Sequence, residues 1–97
     1  MTTIVLNDIF KGAYSSVDGY CLYCMLNPYF LTGDTVELSM KGFPVMSSSF
    51  FNSSFGKLID ENGMDKLRST IKFINITQSQ ANLIGRYLKL YSLEREH

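Results

Sequence analysis

The sequence predicts an α/β fold: a mixed, largely parallel sheet with helices packed on it. Three observations carry this. Val36, Leu38 and Met40 alternate with Thr35, Glu37 and Ser39, the period of a half-buried strand. The segments on either side repeat their apolar residues with helical period instead. The two kinds of segment follow one another as β-α-β-α-β-α, and such alternation needs crossover connections between parallel neighbours. At 97 residues, 45% hydrophobic and 19% charged, the chain has the size and composition of one globular domain, residues 1–97.

The opening Thr3-Ile4-Val5-Leu6 is β-type and is closed by Asn7-Asp8, and the polar stretch from Lys11 to Ser16 is a loop. Leu22, Met25, Leu26 and Tyr29 lie on one side of a helix at about 18–31, with Asp18 as its cap and Pro28 ending or kinking it. Thr32-Gly33-Asp34 is turn chemistry, and Gly42 and Pro44 stop the following strand. Ser47-Ser48-Ser49 marks a helix start, and Phe51, Phe55, Leu58 and Ile59 form that helix's buried stripe. Gly56 inside it implies close approach of another element, and Gly63 closes it. Ile71 to Ile76 is the third strand. Thr77 and Gln80 then form a capping box for a last helix, which turns Ile84, Tyr87, Leu88 and Tyr91 inward and Arg86 and Lys89 outward; the tail Glu94-Arg95-Glu96-His97 frays.

Composition excludes several functions. Nine Lys+Arg against nine Asp+Glu give zero net charge, so there is no bulk attraction for nucleic acid or an anionic membrane. No window approaches the ~18 apolar residues of a membrane span, and the start lacks a signal-peptide pattern, which makes a cytoplasmic protein the expectation. The single histidine, His97, leaves no Ser-His-acid arrangement, and neither a phosphate-cradling glycine motif nor a second Cys/His pair for zinc is present. No cofactor and no metal are expected. Asn52-Ser53-Ser54 and Asn75-Ile76-Thr77 match the glycosylation pattern by chance.

Two clusters remain. Cys21-Leu22-Tyr23-Cys24 is a C-x-x-C within a helix. It is expected to be a pair of partly buried structural thiols, and the alternative is a small thiol/redox protein. Ser47-Ser48-Ser49 sits between a strand and a helix, outside the carboxyl edge of a sheet, where α/β folds place functional loops. A phosphate there meets free backbone N–H groups and the positive end of the helix dipole, and it brings about −1.5 to −2 charges. The competing role for these serines is capping alone. Seven Phe and six Tyr exceed what one small core obviously needs, so some are expected at an interface.

The run from Gly42-Phe43-Pro44-Val45-Met46 through Ser47-Ser48-Ser49-Phe50-Phe51 to Phe55-Gly56-Lys57-Leu58 resembles the STAS-like domain family. Ile71-Lys72-Phe73-Ile74-Asn75 resembles a later strand of that family, and Ser16-Val17-Asp18-Gly19 its loop before the first helix. The resemblance implies a relative of the bacterial anti-sigma-factor antagonists: a non-catalytic module that docks on a protein partner, often a histidine-kinase-like ATPase acting as a serine kinase. It places Ser48 on the phosphoacceptor of the family's Asp-Ser-Ser-Gly turn, with Ser47, Ser49 and Phe50 on the other three positions. Ser47, Ser48, Ser49, Phe50, Asn52 and Ser53 are then the expected partner contacts. The chain departs from the family where Ser47, Ser39 and Asn52-Ser53 stand in place of acidic residues, which strips charge from the docking face. A homodimer is a further expectation.

Overall fold

The computed structural model describes residues 2–12 and 15–95. β1 (Thr2–Val5) leads into the short α1 (Leu6–Ile9) and then α2 (Ser16–Thr32), followed by β2 (Val36–Ser39). α3 (Ser48–Phe51), a π-helical segment (Asn52–Gly56) and α4 (Lys57–Asn62) form one rod without a break. α5 (Met64–Thr70), β3 (Ile71–Ile74) and α6 (Gln78–Arg95) complete the order.

The three strands lie in sequence order, β2 in the centre, all parallel, so the sheet is wholly parallel rather than mixed. Thr2 pairs with Val36, which pairs in turn with Ile71; Ile4, Leu38 and Phe73 align in the same way. Period two then puts Ile4, Val36, Leu38, Ile71 and Phe73 on one face, under the helices. The other face carries Thr3, Glu37 and Lys72, with Thr3 Oγ1 donating to Glu37 Oε1 at 2.9 Å. That face is wet, as the alternation in β2 predicts. Both crossovers pack on the same face, with α2 lying along α3 and the π segment. α6 joins this layer through Tyr87 and Tyr91, whose rings stand 5.2 and 6.3 Å from Phe51.

Several local expectations need correction. β1 ends at Val5, and Leu6 begins a helical turn that buries its side chain completely. The cap of α2 is Ser15, whose Oγ accepts the Asp18 N–H at 3.0 Å; Asp18 sits in the first turn, so Ser16-Val17-Asp18-Gly19 is helix and not loop. Pro28 does not end α2, which runs on to Thr32 and closes at Gly33 (φ 80°). Pro28 and Cys24 are both on the exposed side, where water can take the carbonyl hydrogen bond that proline cannot make. The expected loop from Lys11 to Ser16 includes Ala13 and Tyr14, which lie outside the described residues. In the expected fraying tail, α6 stays helical through Arg95, and Glu96 and His97 lie outside the described residues.

The core is aromatic. Phe10, Phe30, Phe43, Phe50, Phe51 and Phe55 are buried, and Phe73 packs against them half-buried. The phenylalanines expected as a surplus for an interface therefore fill the interior. Four-residue strands supply too little apolar area to make a core by themselves, and the rings make up the difference. Gly56 behaves as its position predicts: a Cβ there would stand 2.9 Å from the Tyr91 ring.

Candidate functional site

The serine cluster closes the loop that leaves the carboxyl end of the central strand. Three carbonyls of that loop are held by α6. Gln80 Nε2 donates to the Met40 and Phe43 carbonyls at 3.1 and 2.8 Å, and the Tyr87 hydroxyl donates to the Met46 carbonyl at 2.9 Å. Gln80 can reach because the capping box fixes it: Thr77 N–H donates to its Oε1 at 2.9 Å, and its own N–H donates to Thr77 Oγ1 at 3.1 Å. A surface hollow of ≈ 320 Å³ lies between loop and helix, lined among others by Val45, Thr77, Ser79 and Leu83.

Ser47 is the N-cap of α3, its backbone extended (φ −76°, ψ 160°) and its Oγ accepting the Phe50 N–H at 3.1 Å. Replacing Ser47 by alanine should lower stability by about 1 kcal/mol, and Ser47→Asp should restore most of it, read from urea unfolding midpoints. Ser48 and Ser49 lie on the first turn, which holds no acidic side chain, and Ser49 is exposed there. Ser48 is exposed as well, and Ser47 beside it is half-buried. Asn52 is exposed and Ser53 half-buried, so Ser48, Ser49, Asn52 and Ser53 share the outer strip of the rod.

Phe50 does not belong to that strip. It is fully buried, 5.7 Å from the Phe10 ring in a T-shaped pair and 6.0 Å from Phe43. Phe51 is buried too. The turn alignment gave Phe50 a contact role, but at helical period it falls on the inward side.

The π segment was not legible in the apolar pattern. Its cause is a pair of serines bonding back to the preceding turn. Ser53 Oγ donates to the Ser49 carbonyl at 2.9 Å, and the buried Ser54 Oγ to the Phe50 carbonyl at 2.7 Å. Such bonds compete with the backbone ladder, and π-bulges recur at functional sites. The signal available was Ser53-Ser54 beside Gly56 within one helix.

At the strand ends, Asn75 takes left-handed backbone (φ 53°) and its Nδ2 donates to Ser39 Oγ at 3.0 Å. Ser39, standing where the resemblance expects an acid, is 2% exposed and holds Asn75 in place. Where the resemblance expects a surface charge, this chain has an internal tie.

The thiols are not partly buried. Cys21 and Cys24 are both exposed, form no disulfide, and are sited on the second and third turns of α2 rather than at a strand-to-helix junction. Beside them, the buried Tyr23 donates its hydroxyl to Glu61, with Lys57 Nζ 5.1 Å from the Tyr23 ring centre and 3.6 Å from Glu61. That hydrogen bond, aided by burial, pushes the Tyr23 hydroxyl from 10.0 up to about 12. The folded state then keeps a proton that the unfolded chain loses earlier. Its contribution is whole below pH 10.0 and vanishes as pH rises through about 12. Tyr23→Phe should cost about 1 kcal/mol at neutral pH, and the gap to wild type should close across that alkaline window in pH-resolved denaturation.

Among the described residues no group of His, Cys, Asp or Glu could hold a metal ion, and no helix is long and apolar enough to cross a membrane. A wholly parallel sheet with its helices on one face, followed by a serine turn at the end of the central strand, defines a STAS-like module. Residues 22–81 match the family described as "STAS-like domain of unknown function (DUF4325)", which is more than half of the chain. The chain belongs to that family. No curated protein and no solved structure matches it significantly.

Proposed function

We propose that the protein is a non-enzymatic, cytoplasmic protein-binding module, switched by phosphorylation of Ser48, in the manner of the anti-sigma-factor antagonists. The supporting observation is the position of Ser48: on the outer strip, one residue past the Ser47 cap, after a loop pinned by Gln80 and Tyr87. A phosphate on its hydroxyl would sit at the start of a 15-residue rod, 48–62. The partner contact consists of Ser47, Ser48, Ser49, Asn52 and Ser53, together with Val45, which is 65% exposed. The strip is uncharged, so the added phosphate would be its dominant charge, and a histidine-kinase-like ATPase acting as a serine kinase is the class of partner this fits.

Incubation with ATP in lysate of the source organism should add one phosphoryl mass to the wild type and none to Ser48→Ala. Ser48→Asp should weaken capture of the partner. No mass gain would reduce the serines to a helix cap, and equal capture by Ser48→Asp would leave the module without its switch.

A further inference from the structure

α2 is apolar on both of its sides. Leu22, Tyr23, Leu26 and Phe30 are buried, while Val17, Tyr20, Cys21, Cys24, Pro28 and Leu31 face outward, Val17 and Leu31 at 71% and 77% exposure. From Gly19 to Gly33 no residue carries a charge. A helix apolar all round is ordinarily covered on every side. The outer stripe is also symmetric in spacing: Val17 and Leu31 lie seven residues either side of Cys24, and Tyr20 and Pro28 lie four. Offsets of four and seven return to one helix face.

We infer that this face pairs with the same face of a second copy of the chain, α2 against α2, antiparallel about a two-fold axis at Cys24. In such an isologous contact residue i meets j and j meets i. Cys24 then lies level with Cys24 of the second copy, Tyr20 with Pro28, and Val17 with Leu31, so apolar groups meet apolar groups along the whole stripe. Charge complementarity favours the same occupant. The uncharged faces bring no like charges together, and antiparallel helices set the positive end of each dipole beside the negative end of the other. The ionic side chains flanking Tyr23, Lys57 and Glu61, are already paired with each other. The 17–31 stripe is about 21 Å long at ~1.5 Å per residue. One helix face of that length covers less than the ~800 Å² per partner of a standard stable interface, so the dimer is expected to exchange with monomer.

Sedimentation velocity across a concentration series should show wild type passing from monomer to dimer. Val17→Glu and Leu31→Lys change exposed residues and suit the charge of their helix ends, so circular dichroism should be unaltered. Each alone should weaken association at least about tenfold, since each leaves two charges facing apolar groups. Mixed in equal amounts, the two variants should associate again. The carboxylate introduced at position 17 of one copy then meets the ammonium introduced at position 31 of the other, while the unchanged Leu31 of the first meets the unchanged Val17 of the second. In Cys21→Ser protein, diamide, which takes up the two thiol hydrogens, should link copies through Cys24, and Leu31→Lys should abolish that link. A wild type that stays monomeric throughout, or a dimer indifferent to both charge substitutions, would overturn the assignment.

Discussion

Alanine in place of Phe50 should remove about 3–5 kcal/mol of folding free energy, the cost of deleting a large ring from a site that cannot collapse around the gap. Phe50 is fully enclosed, and its ring cluster draws on three separate parts of the chain. Phe10 lies beyond α1, Phe43 lies in the serine loop, and Phe50 itself is on α3. None of these can move into the cavity alone: Phe43 is tied through its carbonyl to Gln80, and the Phe50 carbonyl holds Ser54. A domain of this size has a total of about 5–15 kcal/mol, so the variant should lose a large share of its stability. Phe50→Leu should be far milder. Guanidinium unfolding of both variants measures the difference; a loss below about 1 kcal/mol for Phe50→Ala would mean the ring is not the keystone its contacts imply.

Gly19 should be nearly as sensitive, for the opposite reason. It sits where α2 crosses the rod, and a Cβ built there would stand 1.9 Å from Ser53 Oγ and 2.5 Å from the Phe50 carbonyl oxygen. Neither neighbour yields easily. Ser53 Oγ is engaged with the Ser49 and Phe50 carbonyls, and the Phe50 oxygen is backbone. Gly19→Ala must push two packed helices apart, an overpacking cost of about 3 kcal/mol or more. Gly19→Ala with Ser53→Ala should recover only the smaller part, because the clash with the carbonyl remains. Full recovery in the double variant, followed by thermal unfolding, would show that the side chain alone sets the limit.

Sequence patterns disclosed those elements whose determinants are local. The Thr77/Gln80 box and the Ser47 cap are contacts over three residues, and both form as the spacing predicts. The Val36/Leu38 alternation placed the central strand for the same reason. Where a determinant is tertiary, the pattern misleads. α2 carries apolar residues on its outer side as well as on the buried side of Leu22 and Leu26, so the pattern does not show that Cys21 and Cys24 lie outward, and the expectation of partly buried thiols fails at both. The turn alignment puts Phe50 on the contact strip, although the helix begins early enough to swing it inward. The Ser39–Asn75 tie and the reach of Gln80 to Met40 and Phe43 join residues 36, 40 and 37 positions apart, distances at which no local pattern speaks. The exposure of Ser48, Ser49 and Asn52 was legible in the sequence; the ties from α6 that hold the loop before them were not.

The hold of α6 on that loop has a consequence for the order of assembly. The bonds from Gln80 and Tyr87 span 37 to 41 residues, so the chain loop they close is long and its entropy must be overcome late. During vectorial synthesis at ~5–20 residues per second, the serine turn emerges seconds before the helix that shapes it. Without Tyr87 on the Met46 carbonyl, the loop before Ser48 lacks one of its three ties to α6. If Ser48 is the phosphoacceptor proposed above, a kinase that reads the folded turn would favour molecules whose last helix is in place.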